Sequence, residues 1–189
     1  MSDGPMSDVR PARAEDAVGI ARVHVRSWGE TYRGVMPDAV LDDPEAPARR
    51  ERMWMTVLTD ERYAADSVAV AEHDGRIVGI AWSGAAAGEE AVRELHVLYV
   101  LAAHHGTGLG RRLLQATVPD GTAAALWVAD PNPRAQAFYR AAGFVPDGVT
   151  RTEEGVRHLH LVRPAGVRPA GGANAGRAAR PEGTDGASR

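Results

Sequence analysis

The 189-residue chain contains no cysteine and no lysine, so all 22 of its basic residues are arginine. Without cysteine it has no disulfide framework, no thiolate metal site and no cysteine nucleophile. No apolar run approaches the length of a membrane span, and the polar start "MSDGPMSDVR" lacks the apolar segment of a signal peptide. A cytoplasmic protein is therefore expected.

The formal net charge is −3, and no region is dense in basic residues, which argues against a nucleic-acid-binding protein. An apolar content of 44% is ordinary for a globular domain. Residues 165–189 contain one valine as their only large apolar residue and cannot bury enough surface to offset the entropy of ordering. We therefore predict a flexible N-terminus over residues 1–7, one domain over residues 8–164 and a disordered tail over residues 165–189.

The order of periodic segments predicts an α+β fold. A helical repeat that includes Val18 and Trp28 predicts a first helix over roughly residues 14–32. Asp74 and Gly75 lie between two β-rich runs, which is a strong hairpin signal. Further strands are predicted at residues 92–100, 123–129 and 155–164, and further helices at residues 108–118 and 133–143. The order β, α, α, β, β, β, α, β, α, β indicates a sheet containing one right-handed crossover.

The segment "HHGTGLGRRLL" (residues 104–114) places three glycines within five positions, between a predicted strand and a predicted helix. Such a loop is an anion site, because unblocked N–H groups and the helix dipole converge on one point. A Walker A loop is excluded because the chain has no lysine. A Rossmann fingerprint counted from Gly106 would need glycine where Arg111 stands.

The same loop resembles the acetyl-CoA loop of the GNAT superfamily of N-acetyltransferases, whose motif runs Gln or Arg, any two residues, Gly, any residue, then Gly or Ala. Gly108 and Gly110 match this motif, while His105 stands where Gln or Arg is usual. The resemblance implies that backbone amides of the loop bind the pyrophosphate, with Arg111 as a counter-charge. The implied loop residues are His105, Gly106, Thr107, Gly108, Leu109, Gly110 and Arg111.

A second segment, "LWVADPNPRAQAFYRAAGFVPDG", resembles the other motif of this superfamily. The matching residues are Asn132, Ala135, Phe138, Tyr139, Gly143 and Phe144. In the family the asparagine binds the pantetheine arm, the alanine lets that arm pass and the tyrosine points at the sulfur. The resemblance covers about residues 8–163. It implies the GNAT acyl-CoA N-acyltransferase fold: a mixed sheet of six to seven strands with flanking helices and a splay between the fourth and fifth strands.

Aminolysis of a thioester needs a neutral amine, a stabilised oxyanion and a proton for the thiolate. The resemblance implies that Glu94 is the general base and that Tyr139 is the acid. It also implies that backbone groups of residues 98–100, which are Leu98, Tyr99 and Val100, pair with pantetheine and the acetyl carbonyl. Alternatively, Glu94 forms a strand salt bridge while a water chain carries the proton, and Tyr139 is a core residue.

Strand alternation predicts that His96 lies beside Glu94 and could share its role. It assigns Glu94, His96, Leu98 and Val100 to one face of the strand, and Leu95, Val97 and Tyr99 to the other. A strand histidine is also commonly a packing residue. The other histidines predict no metal site, because His104 and His105 point apart and the pair His158 and His160 has no third ligand nearby in sequence.

Trp28 and Tyr32 are candidate acceptor residues, because the family builds its acceptor pocket from the first helix and the segment after it. Carboxylates occur in the same region, at Glu30, Asp38, Asp42 and Asp43. Aromatic walls with carboxylates would suit a cationic amine. The alternative is that Trp28 belongs to the core and that the acids form a solvated face.

The sequence thus predicts an N-acetyltransferase that moves an acetyl group from acetyl-CoA to a primary amine by direct attack in a ternary complex, without a metal. The acceptor would be a small molecule or a protein N-terminus, and the protein a monomer or homodimer that binds neither nucleic acid nor membrane. A catalytically weak CoA-binding sensor or interaction module is the alternative.

Overall fold

The computed structural model describes residues 7–153 and 155–167. Residues 168–189 of the predicted tail and residues 1–6 of the predicted flexible N-terminus lie outside the described residues. The described chain forms seven strands and five α-helices. The strands are β1 (Ser7–Pro11), β2 (Ser67–His73), β3 (Arg76–Ala86), β4 (Glu89–Val100), β5 (Ala124–Asp130), β6 (Val145–Glu153) and β7 (Val156–Arg163). The helices are α1 (Ala17–Tyr32), α2 (Asp38–Leu41), α3 (Ala46–Thr59), α4 (Leu109–Thr117) and α5 (Pro133–Ala141).

The strands form one sheet in the order β1-β2-β3-β4-β5-β7-β6. All neighbouring pairs are antiparallel except β4 and β5, which are parallel. That pairing joins only residues 93–95 of β4 to residues 124–126 of β5. The predicted mixed sheet with a splay between the fourth and fifth strands is therefore confirmed.

Neighbouring residues of β3 show that helices cover both faces of the sheet. The Trp82 ring contacts Trp54 of α3, whereas the Ser83 hydroxyl donates to the Thr117 carbonyl at the end of α4. Consecutive side chains of a strand point to opposite faces, so α3 and α4 lie on opposite sides. The buried apolar residues form two main cores, one around β2, β3 and α1 and one around β5, α5 and β7.

Local sequence explains several of these boundaries. Asp74 and Gly75 have φ angles of 50° and 70° in the turn between β2 and β3, which confirms the predicted hairpin. Asn132 caps α5 because its side chain accepts a hydrogen bond from the Ala135 amide, and Pro133 follows at the first helical position. Helix α4 starts directly after Gly108, which has left-handed backbone angles.

The sequence pattern did not predict β6. This strand is exposed along its whole length and, among the described strands, pairs with β7 alone, so it has no buried face to produce an apolar alternation. Its pairing also shifts register between Pro146 and Thr150. Proline and a register shift are both typical of an edge strand.

The start of the predicted tail is described and contacts the domain. The Gly166 amide donates to the Gly121 carbonyl at 2.9 Å. The Val167 side chain lies over Gly143, where an added Cβ would be 2.8 Å from its methyl carbon. The contacts of the domain therefore extend at least to Val167.

Candidate active site

Two glycines of the loop before α4 have backbone angles that other residues adopt at a cost. Gly106 and Gly108 have φ angles of 78° and 84°. A Cβ placed on either glycine would meet no atom within 4 Å, so the space above the loop is open. A side chain at either position would project into this open space.

The same loop presents free hydrogen-bond donors. Within the described chain, the N–H groups of residues 106–111 make no hydrogen bond to a backbone carbonyl. They lie at the N-terminus of α4, where the helix dipole is positive. Adjacent free amides at the positive end of a helix form a binding site for an anion such as a pyrophosphate.

The third glycine of the motif allows two helices to approach each other. A Cβ on Gly110 would lie 3.5 Å from the ring of Phe138 in α5 and 3.9 Å from the side chain of Val100. These are ordinary van der Waals distances, so alanine would fit at position 110, whereas a side chain that extends beyond Cβ would meet Phe138. The three glycines thus serve two purposes: open space in front of the loop and close packing behind it.

A cavity of about 510 Å³ extends from this loop through the splay between β4 and β5. Its wall combines the loop, the ends of β4 and β5, α5 and one face of α1. The predicted site residues that line it are Tyr32, His96, Leu98, Tyr99, Val100, His105, Gly106, Gly108, Leu109, Gly110, Arg111, Asn132, Ala135, Phe138 and Tyr139. Residues from both sequence motifs and from β4 therefore meet at one place.

Three predicted site residues lie outside the cavity wall. The Thr107 hydroxyl donates to the His104 carbonyl and shapes the loop. Trp28 lies behind Tyr99, and its indole Nε1 donates to the Tyr99 hydroxyl at 2.9 Å. Glu94 does not line the cavity itself, but its carboxylate lies 4.0 Å from His96, which does.

His105 connects the loop to β4 and α5. Its Nε2 lies 2.7 Å from the Val100 carbonyl oxygen, and its Nδ1 is in contact with Nη1 of Arg134. A guanidinium only donates hydrogen bonds, so Nδ1 is the acceptor and Nε2 carries the proton that it donates to Val100. Arg134 lines the cavity and was missed by the sequence analysis, although it lies inside the second motif.

Asn132 has an unused donor at the cavity. Its Oδ1 accepts from the Ala135 amide at 3.1 Å. Its Nδ2 has no partner among the described residues and remains able to donate to an amide carbonyl of a bound arm. The small side chain of Ala135 lies beside it on the wall of the cavity.

The predicted alternation along β4 is wrong beyond His96. Leu95 pairs with Ser83 and Val97 pairs with Trp82, so His96 is an extra residue that forms a bulge. The bulge turns Tyr99 toward α1, where its ring contacts His24 and its hydroxyl accepts a hydrogen bond from Trp28. His96 lies on this same face, against the ring of Trp82.

Glu94 and His96 remain neighbours, as predicted. Glu94 Oε1 lies 4.0 Å from His96 Nδ1, and both side chains are partly exposed. Burial lowers the pKa of His96, while the negative charge of Glu94 opposes this change. The imidazole is therefore neutral at physiological pH and able to accept a proton.

Two tyrosines approach the splay from opposite elements. Burial raises the pKa of Tyr139, and the nearby hydroxyls of Tyr99 and Tyr32 raise it further. Burial also raises the pKa of Tyr99 to about 12, against the opposing effect of the hydrogen bond from Trp28. Both phenols keep their protons at neutral pH, so Tyr139 is available as a proton donor.

The carboxylates near α1 are already paired with arginines or a backbone amide of the chain itself. Arg33 binds Asp38 and Asp42, and Arg49 binds Asp43. The Glu30 carboxylate accepts from the Ala102 amide and pairs with Arg26. These acids neutralise arginines of the chain itself, which supports the alternative that they form a solvated face.

The sequence analysis also missed two cavity residues whose side chains are distinctive. Ser27 of α1 is 3% exposed, and its hydroxyl has no hydrogen-bond partner within the described residues. The Trp127 ring of β5 contacts the His160 ring, and the Arg151 guanidinium lies 4.3 Å from the centre of the Trp127 ring. Both belong to segments predicted as ordinary helix and strand, where periodicity alone marks no function.

The model of the acetyltransferase (GNAT) family matches residues 19–144 of this chain. The chain belongs to this family. Uncharacterized N-acetyltransferases of Mycobacterium bovis and Mycobacterium tuberculosis are 40% identical over 106 residues, which is 53% of this chain and 65% of theirs. The chain therefore matches slightly less than two thirds of the length of these relatives. An uncharacterized N-acetyltransferase of Archaeoglobus fulgidus is 30% identical over 144 residues, which is 70% of this chain and 88% of that protein.

Solved structures of GNAT proteins have the same fold. The PaiA N-acetyltransferase of Thermoplasma acidophilum, solved in complex with coenzyme A, has a TM-score of 0.66 at 18% identity over 82% of this chain and 98% of that one. An acetyltransferase of Thermus thermophilus has a TM-score of 0.59 at 25% identity, over 84% of this chain and 97% of that one. The expected GNAT fold is thus confirmed.

Two absences apply to residues 7–153 and 155–167. None of the helices there combines the length and the apolar character of a membrane span. Among the side chains that the structure describes, which exclude those of residues 89–91, no three His, Asp or Glu are grouped so that they could hold a metal ion.

Proposed function

We propose that this GNAT protein is an N-acetyltransferase that moves the acetyl group of acetyl-CoA to a primary amine by direct attack in a ternary complex. The observation that carries the proposal is the loop of free amides at the mouth of a cavity that passes through the sheet. Acetyl-CoA supplies an activated acyl group, and the residues around the cavity fit it. Coenzyme A bound to the PaiA fold neighbour supports this choice.

Each part of the cofactor has a matching surface. The amides of residues 106–111 bind the pyrophosphate, helped by Arg111 on the cavity wall. Asn132 donates through Nδ2 to the pantetheine arm, which passes Ala135. Backbone groups of residues 98–100 face the splay, where β5 no longer pairs with β4, and bind the arm and the acetyl carbonyl oxygen.

The proton transfers are assigned to residues on both sides of the splay. The pair of Glu94 and His96 takes the proton of the attacking amine, with neutral His96 at the cavity and Glu94 beside it. Tyr139 keeps its proton until the thiolate departs and then donates it. Tyr32 lines the acceptor side, with Trp28 supporting it through a ring contact.

The acceptor is a small-molecule amine or a protein N-terminus. A panel of both kinds should be incubated with the full chain and acetyl-CoA, while thiol release and acetylated product are measured. Product from at least one amine is expected. Thiol release without acetylated product, together with tight CoA binding, would contradict the transferase and favour the sensor.

The site assignment is tested separately by calorimetry with acetyl-CoA. Gly108→Val should abolish binding, because its side chain would occupy the open space in front of the loop. Gly148→Val is the matched control, since Gly148 also has a positive φ angle of 90° with nothing within 4 Å, but lies in edge strand β6. Equal affinity in a folded Gly108→Val variant would overturn the loop assignment.

A further inference from the structure

Arg134 is a cation at the mouth of the proposed cofactor site. It occupies the first turn of α5, is exposed and lines the cavity. Among the described residues its only hydrogen-bond partner is Nδ1 of His105, 29 residues away in sequence. Two other exposed arginines, Arg33 and Arg62, instead form ion pairs with aspartates.

His105 fixes the direction of this guanidinium. Its imidazole is held on one side by the Val100 carbonyl and on the other by Arg134. Because the imidazole is neutral in this tautomer, it leaves the charge of Arg134 uncompensated. The remaining N–H donors of Arg134 are free for an anion near the free amides of residues 106–111.

We propose that Arg134, positioned by His105, binds a phosphate group of coenzyme A. This inference rests on the proposed function, because it assumes that the cavity holds this cofactor. Arg134 thereby supplies, from α5, a donor side chain in place of the Gln or Arg that the motif usually has where His105 stands. A planar guanidinium binds phosphate with two parallel hydrogen bonds, which a lysine cannot reproduce.

Calorimetric titration of the full chain with coenzyme A tests the proposal directly. Arg134→Ala should weaken binding about tenfold to a hundredfold, the usual range for a lost charge-assisted hydrogen bond. Arg134→Lys should give a smaller loss. Arg140→Ala is the matched control, since Arg140 is exposed on the same helix but does not line the cavity. It should bind like the unaltered protein.

Two further measurements separate a phosphate contact from a structural effect. Added salt should weaken binding to the unaltered protein more than to Arg134→Ala. His105→Ala and Arg134→Ala should lose less affinity together than the sum of their separate losses, because His105 acts through Arg134. Titration with dephospho-coenzyme A, which lacks the 3′-phosphate, identifies the phosphate that Arg134 binds. If Arg134→Ala still weakens binding of this ligand by the same factor, Arg134 binds the pyrophosphate. If the substitution no longer weakens binding, Arg134 binds the 3′-phosphate.

Equal affinity of Arg134→Ala and the unaltered protein, with equal salt dependence, would overturn this inference and leave the proposed function intact. Failure of the unaltered protein to bind coenzyme A would overturn both. Loss of affinity in Arg140→Ala as large as in Arg134→Ala would also contradict the inference, because it would indicate a nonspecific effect of charge.

Discussion

The indole Nε1 of Trp54 donates a 3.2 Å hydrogen bond to Nδ1 of His24, which holds this buried histidine in its neutral form. Burial lowers the pKa of His24 to about 3, and the charge of Arg50 acts in the same direction. In the unfolded chain the pKa is about 6.5. At pH values between these two pKa values, the unfolded state therefore binds one more proton at His24 than the folded state does.

We expect His24 to contribute to acid unfolding. Its contribution to the free energy of unfolding is complete above about pH 6.5 and is lost as the pH falls toward its folded pKa of about 3. Chemical denaturation at a series of pH values should show a shallower decline for His24→Gln, which keeps an acceptor for Trp54. An identical slope in both proteins would contradict a neutral His24.

Ser27→Ala should stabilise the protein without its substrates by about 1 kcal/mol, because it removes a buried hydroxyl that lacks a partner. The control is Ser83→Ala, since Ser83 is also buried but donates to Thr117 and accepts from Arg93. That variant should be less stable than the parent. Thermal unfolding measures both, and destabilisation by Ser27→Ala would mean that its hydroxyl is hydrogen-bonded in solution.

Tyr139→Phe should lower kcat with little change in acetyl-CoA affinity, because the substitution removes the proton donor and keeps the ring. Steady-state kinetics and direct titration measure the two effects separately. Phe138→Leu offers a comparison, since it disturbs packing against Gly110 without removing a hydroxyl. A full kcat in Tyr139→Phe would exclude this tyrosine as the acid.

Glu94→Gln should reduce turnover about 10²-fold near neutral pH, the typical size of a general-base contribution. The negative charge of Glu94 raises the pKa of His96, so its removal should move the acid limb of the kcat/KM profile to lower pH. Raising the pH should restore part of the rate, because more of the amine is then neutral. Unchanged activity at every pH would exclude Glu94 and leave His96 or a water chain as the base.

Removal of residues 168–189 should leave both the melting temperature and the acetyl-CoA affinity nearly unchanged. A chain that ends at Pro164 should be less stable, by about 1 kcal/mol, because it also loses the bond from Gly166 to Gly121. Comparison of the two truncations by calorimetry tests where the domain ends. A large loss from the shorter deletion would mean that residues 168–189 dock on the domain.

The parts of the site that the sequence predicted are those whose requirements are local. Gly108 adopts the left-handed backbone angle that precedes α4, and the Asn132 side chain accepts a hydrogen bond from an amide in the first turn of α5. Each is therefore recognisable within a short segment. The turn at Asp74 is recognisable for the same reason. These features depend on a few consecutive residues.

Features that arise between distant segments could not be predicted in this way. The bulge at His96 depends on how β3 meets β4, and it moves Tyr99 to the opposite face from the one that alternation assigns. Arg134 reaches the site only because the fold brings α5 to His105. The missed strand β6 has no buried face that could have left a periodic pattern.

The short pairing between β4 and β5 has a mechanical consequence. Among the described residues, β4 and β5 pair at three positions, and the second apolar core spans this seam because Leu95 of β4 packs there with Leu126 of β5. Beyond these pairs, the backbone of β4 and that of β5 face each other across the gap without pairing. A ligand that hydrogen-bonds to both strands bridges the interrupted ladder, so its binding free energy adds to the stability of the folded domain.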